Sequence, residues 1–127
     1  MQFVLKDNLP FTSVVIGYKG SEVEVTNVLI DTGSASSIFS TDIVEHIQIV
    51  PSPQDILQVI RGIGGTEVVF KRRVDFLKLG EFRLPDFEIE VGGMDYGFNI
   101  HGILGMDFLV GSGAIINLKT MRIQFEL

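Results

Sequence analysis

Val28-Leu29-Ile30-Asp31-Thr32-Gly33-Ser34 is the stretch on which the reading of this chain turns. Three apolar residues with no polar alternation read as a strand covered on both faces, and they run straight into a carboxylate followed by a loop of small residues. Asp is among the residues least often buried. In an apolar setting it costs free energy unless it is hydrogen-bonded or shares a proton, so Asp31 needs either a partner or a chemical task.

Upstream, Ser13-Val14-Val15-Ile16 and the alternating Glu22-Val23-Glu24-Val25 flank turn chemistry at Tyr18-Lys19-Gly20-Ser21, which predicts a hairpin. Downstream, small residues from Gly33 to Ser37 precede Ser40-Thr41-Asp42, which offer N-cap candidates for a short helix over about residues 41–47. Asp42 and Glu45 have capping-box spacing, and Pro51 and Pro53 end the helix in a loop. The stretch Arg61-Gly62-Ile63-Gly64-Gly65-Thr66 lies between extended segments. With three glycines around one isoleucine it is a hairpin tip that opens at low cost, or an ordinary glycine-rich turn. It is not a phosphate loop, since neither a Lys-Ser/Thr pair nor a helix follows.

Phe82 to Val91 alternates, with Pro85 implying an edge position or a bulge. Gly102-Ile103-Leu104-Gly105-Met106-Asp107 then echoes the opening stretch: an apolar strand, a small-residue turn and an Asp. Two strand-like pieces about Lys119-Thr120 end the sequence, and the last, half apolar, could pair with another chain. Many short strands, one or two short helices and no strand–helix alternation predict an all-β barrel or sandwich.

The 127 residues suit one domain, 1–127. The chain has no Cys, which removes disulfides, thiolate metal sites and thiol nucleophiles, and its two histidines, His46 and His101, show no ligand spacing. Ten basic against sixteen acidic residues, a net charge of -6, oppose nucleic-acid binding. The one basic cluster, Lys71-Arg72-Arg73, reads as a solvated loop or strand end. No apolar run reaches the roughly 18 residues of a membrane-spanning helix, and Met1 to Asp7 has no signal-peptide pattern. The expectation is a soluble, cytoplasmic protein with no membrane partner.

Taken in order, the apolar run into Asp31-Thr32-Gly33-Ser34, the tip Gly62-Ile63-Gly64-Gly65 and the segment Ile103-Leu104-Gly105-Met106-Asp107-Phe108-Leu109 resemble the retropepsin-like aspartic proteases, single-domain dimeric enzymes related to each half of pepsin. The resemblance spans about residues 14–125. It implies a closed β-barrel with a flap hairpin and one or two short helices, and an aspartic endopeptidase that needs no metal or cofactor. In the family two such Asp residues are required, because two carboxylates held close cannot both ionise and share one proton, so that one activates a water while the other donates to the substrate carbonyl.

This sequence carries one Asp-Thr-Gly, so the second carboxylate must come from another copy, in a homodimer that sets Asp31 beside its symmetry mate. The resemblance makes Asp31 catalytic and gives Thr32, Gly33 and Ser34 supporting roles. Thr32 would hydrogen-bond across the dyad, Gly33 would allow close approach, and Ser34 would bond the outer catalytic oxygen or the substrate backbone. Gly62, Ile63, Gly64 and Gly65 would form the flap over an extended peptide or protein substrate. Gly105 and Asp107 would support the site structurally, and Ala35, Ile38 and Ile103 are pocket or plain core positions. Two departures stand out: Ala35-Ser36 lies where retroviral members often carry acidic residues, and the flap lacks the tyrosine of pepsin-like enzymes. The alternative is a catalytically silent dimerisation or peptide-binding module on the same fold.

Overall fold

The computed structural model describes residues 1–62, 65–94 and 99–126, with residues 60–62 and 65–67 described by backbone alone. The chain is mostly β, about 55% strand and 12% helix. Its strands are β1 (Val4–Lys6), β2 (Leu9–Tyr18), β3 (Ser21–Ile30), β4 (Ile38–Ser40), β5 (Gln58–Gly62), β6 (Gly65–Leu79), β7 (Phe82–Gly92), β8 (Gly102–Leu104), β9 (Ala114–Asn117) and β10 (Arg122–Phe125). A short helix α1 (Thr41–Val44) runs on into a 3-10 turn at Glu45–Ile47, and α2 covers Met106–Ser112.

The β2–β3 hairpin forms where the turn chemistry predicts it. Tyr18 pairs with Ser21, and between them Lys19 and Gly20 both take positive φ, 49° and 85°, the geometry whose twist matches the flanking strands. The main sheet runs β1-β2-β3-β8-β4-β7-β6-β5 and closes on itself because β2 also pairs with β6, from Val15↔Lys78 to Gly17↔Phe76. Gly17 permits that closure: a Cβ there would lie within 2.6 Å of the Phe76 ring. The pairs β3–β8 and β4–β7 are parallel, whereas the hairpins are antiparallel. The two segments that echo each other in sequence are thus direct neighbours, Val28↔Gly102, Leu29↔Ile103 and Ile30↔Leu104.

The lack of alternation in Val28-Leu29-Ile30 has a plain cause. Val28 and Ile30 enter the main core with Val14, Ile16, Leu77 and Phe108, while Leu29 packs on the other face against a second cluster of Phe11, Ile38, Val69, Met94 and Ile100. Ile103 packs there too, and Ile38 is one of that cluster's buried members. Phe108 is fully buried and meets Phe87 and Phe82 edge-on, at 6.0 and 6.4 Å between ring centroids. Burying such a side chain contributes about 1.5–3 kcal/mol and fixes α2 against β7.

Two local expectations need correcting. Ser40 is the N-cap of α1 and no side chain caps it, so the Asp42/Glu45 capping box is not formed; Asp42 lies in the first turn, where its charge suits the helix dipole. Lys71-Arg72-Arg73 lies in the middle of the 15-residue β6, not at a strand end or in a loop. Its central residue is largely withdrawn from solvent: Arg72 donates to Val50 O (2.9 Å), Asp55 Oδ2 (2.8 Å) and Tyr18 Oη (3.3 Å), and lies over the rings of Tyr18 and Phe70. It ties the loop before β5 to the body. Pro85 does sit where only one neighbour pairs, since β4 reaches β7 only at Glu90 to Gly92.

Candidate active site

Asp31 follows β3 directly, and its position is set by backbone bonds on both sides. Its amide donates to Leu104 O (3.0 Å), which extends the β3–β8 pairing by one step, and its own carbonyl accepts from the Ser34 amide (3.2 Å), closing a turn. The carboxylate is half-exposed, and its Oδ1 accepts from the Gly33 amide at 2.8 Å. A Cβ on Gly33 would come within 3.1 Å of that oxygen, so glycine keeps the approach open. Among the described residues no cation pairs with Asp31.

The loop after Asp31 is held by the start of α2. Helix N-termini leave amides without intrahelical partners, and here loop carbonyls take them: Met106 N–H donates to Ser34 O (2.8 Å) and Asp107 N–H to Ala35 O (3.2 Å). Gly105 is obligatory at this crossing. A Cβ there would lie 2.6 Å from the Ser36 carbonyl carbon and 2.9 Å from Ser34 O, both backbone atoms.

Asp107 completes the stitching. Its Oδ2 accepts from the Ser37 amide (3.0 Å), and its Oδ1 from the Ser37 hydroxyl (2.7 Å) and the Phe108 amide (2.7 Å). The Ser37 hydroxyl in turn accepts from the buried Gly105 amide (2.9 Å). Ser37 is fully buried, and every polar group in this ring has a partner. A carboxylate saturated in this way is a structural clamp.

Of the residues singled out from sequence, the structure brings Asp31, Thr32, Gly33, Ser34, Gly105 and Asp107 into one network of loop and helix start. Thr32 and Gly33 are exposed at its surface, and the Ser34 hydroxyl donates within its own loop, to Ser36 O at 2.7 Å. The glycine-rich tip falls on the β5–β6 hairpin, whose register ends at Gly62↔Gly65. Ile63 and Gly64, expected at the flap tip, lie outside the described residues. Sequence reasoning missed Ser37. A serine in a run of small residues gives no local signal, because its partner is 70 positions away.

Comparison with known proteins agrees with this arrangement. Residues 14–108 match a family described as aspartyl protease. No curated protein matches the sequence. Among solved structures, a retropepsin-like aspartic protease from Rickettsia conorii superposes with a TM-score of 0.68 at 14% identity, covering 94% of this chain and 92% of that one. The retroviral protease-like domain of Ddi1 from Leishmania major gives 0.63 at 18% identity, with 95% and 90% covered. EIAV protease, in complex with the inhibitor HBY-793, gives 0.61 at 24% identity, with 91% and 100% covered. The matched residues hold the whole Asp31 loop and its anchor at Gly105 and Asp107, and the chain belongs to the aspartyl protease family, on a retropepsin-like fold.

Proposed function

We propose that the protein is an aspartic endopeptidase whose active site is completed by a second copy of the chain, with two Asp31 carboxylates facing one another across a two-fold axis. The observation that carries this reading is the state of Asp31 in the single chain. Its backbone is fixed on both sides, its carboxylate is half-exposed with one amide donor, and Asp107, the nearby acid in sequence pattern, is consumed by the Ser37 clamp. Among the described residues, one chain therefore offers a single carboxylate, Asp31, for this role.

Paired carboxylates share a proton, so one polarises a water as base while the other donates to the scissile carbonyl. The pH response belongs to the pair. The Gly33 amide orients the carboxylate, and an extended peptide pairs by its backbone between the Asp31 floor and the β5–β6 hairpin, with Leu29 and Ile103 as the apolar floor beside it. Closure of that hairpin excludes bulk water.

The test is a peptide-library digest across acidic to neutral pH with wild type and Asp31→Asn. The expected result is cleavage by wild type that falls at least 1,000-fold in the variant while the far-ultraviolet circular dichroism is unchanged. Equal cleavage by both would refute the assignment. Peptide binding without cleavage at any pH would replace it by a silent binding module.

A further inference from the structure

We infer that Lys78 of β6 and Arg83 of β7 form an anion site on the outer face of the sheet, and that its ligand is a phosphate monoester. The site lies beside the β6–β7 turn, apart from the Asp31 loop, and does not depend on whether Asp31 is catalytic.

The register brings the two cations together. Lys78 and Arg83 are direct cross-strand partners in the β6–β7 pair, which sets their Cβ atoms about 4.5–5.5 Å apart on one face of the sheet. Like charges in that position are destabilising unless an acid neutralises them. Elsewhere on β6 every cation has such a partner: Lys71 pairs with Glu88, Arg72 with Asp55 and Arg73 with Asp86. Among the described residues, neither Lys78 nor Arg83 has one, although the chain holds sixteen acidic residues. Glu24 shares their face but lies across β2, since Val15 pairs with Lys78 on one side and with Glu24 on the other. Two strand spacings put it about 9.6 Å away, where salt screens the attraction.

The arginine is also held in place. Its guanidinium carbon lies 3.8 Å from the centroid of the Phe76 ring, and that buried ring is itself seated over Gly17, where a Cβ would come within 2.6 Å of it. Stacking covers one face of the guanidinium and leaves the N–H groups along its edge free for a bidentate acceptor. Lys78 adds an ammonium with donors of its own beside that edge. An oriented fork next to a point charge recognises an oxyanion with several oxygens. Charge then selects among oxyanions: two cations match a phosphate monoester, of charge about −1.5 to −2 at neutral pH, and exceed a single carboxylate. A like-charge pair kept without internal compensation is where a local rule gives way to a functional one.

The test is a titration of the protein with inorganic phosphate at constant ionic strength, followed by heteronuclear NMR of the backbone amides. A second arm uses a short peptide carrying one phosphoserine, added to the Asp31→Asn chain so that the probe stays intact, and the same peptide with glutamate at that position. The expected result is saturable binding of phosphate that shifts the amides around Lys78 and Arg83. The dissociation constant should rise at least tenfold in Lys78→Gln and in Arg83→Gln and stay unchanged in Lys119→Gln, a control between β9 and β10. Tighter binding of the phosphoserine peptide than of inorganic phosphate would make a phosphorylated partner the source of the ligand; equal or weaker binding would make it a free phosphate ester. Both variants should keep the wild-type circular dichroism, and if Arg83→Gln disturbs the Phe76 packing, Lys78→Gln carries the test. Absence of saturable shifts at these residues, unchanged affinity in the folded variants, or equal affinity for the phosphoserine and glutamate peptides would overturn the inference.

Discussion

Ser37→Ala tests whether the Asp31 loop depends on the clamp at the start of α2. The substitution removes one hydroxyl with two roles, donor to Asp107 Oδ1 at 2.7 Å and acceptor from the Gly105 amide at 2.9 Å. A hydrogen bond to a charged group contributes about 1.5–3 kcal/mol, and a buried amide left unsatisfied costs about 1–3 kcal/mol. Ser37 is fully buried, so the alanine cannot hand either bond to bulk water. The two losses overlap at one atom, and the expected destabilisation is about 3 kcal/mol, or roughly a hundredfold in the folding equilibrium constant. The assay is urea unfolding followed by far-ultraviolet circular dichroism. It is run on an Asp31→Asn background to prevent self-digestion, and at one protomer concentration because association would shift the apparent stability. Ser36→Ala is the control, since Ser36 contributes its carbonyl to the network, and it should stay within about 0.5 kcal/mol. Combining Ser37→Ala with Asp107→Asn should cost clearly less than the sum, because both break the same bond. A loss below about 1 kcal/mol for Ser37→Ala, or additive behaviour in the cycle, would refute the clamp.

Two further outcomes follow from the same geometry. Gly105→Ala pushes a methyl group into the backbone at Ser34 and Ser36; it should cost more than about 3 kcal/mol in the same assay, since overpacking against backbone cannot relax by a rotamer change. The Asp55 carboxyl is held below its ordinary value of 3.8, chiefly by the hydrogen bond from the Ser52 amide, with burial opposing and the Arg72 guanidinium assisting. Because its folded value is the lower one, the unfolded chain binds more protons in this range. The contribution is complete above about pH 4 and fades as pH falls through the folded value. Asp55→Asn should therefore reduce stability at neutral pH and flatten the stability profile below pH 4, as read by thermal unfolding from pH 2.5 to 7. A parallel profile for wild type and variant would argue against this linkage.

What the sequence discloses here follows from how local each cause is. The β2–β3 hairpin was legible because Lys19-Gly20 sets its own turn, and the helix near residue 41 because apolar spacing and a polar start occur together. Asp31 was legible because a carboxylate at the end of an unbroken apolar run is out of place. Ser37 was not, since its significance lies in a carboxylate on another element. Lys71-Arg72-Arg73 looked like a strand end because three cations in a row suggest solvent, yet Arg72 is neutralised by Asp55 and covered by Tyr18 and Phe70. The vacant capping box at Asp42 and Glu45 has the opposite cause: the pattern is present, but Ser40 takes the N-cap position as the last residue of β4.

The parallel pairing of β3 with β8 also bears on when the site can form during synthesis. Asp31 leaves the ribosome before Leu104, its amide's acceptor, and before Asp107, through which its loop is clamped. Contacts this distant in sequence require a long loop to close before they reward it. A nascent chain that has built the β2–β3 hairpin thus carries an unanchored Asp31 loop until α2 emerges. Folding order itself delays the ordered Asp31 loop until the domain is nearly whole.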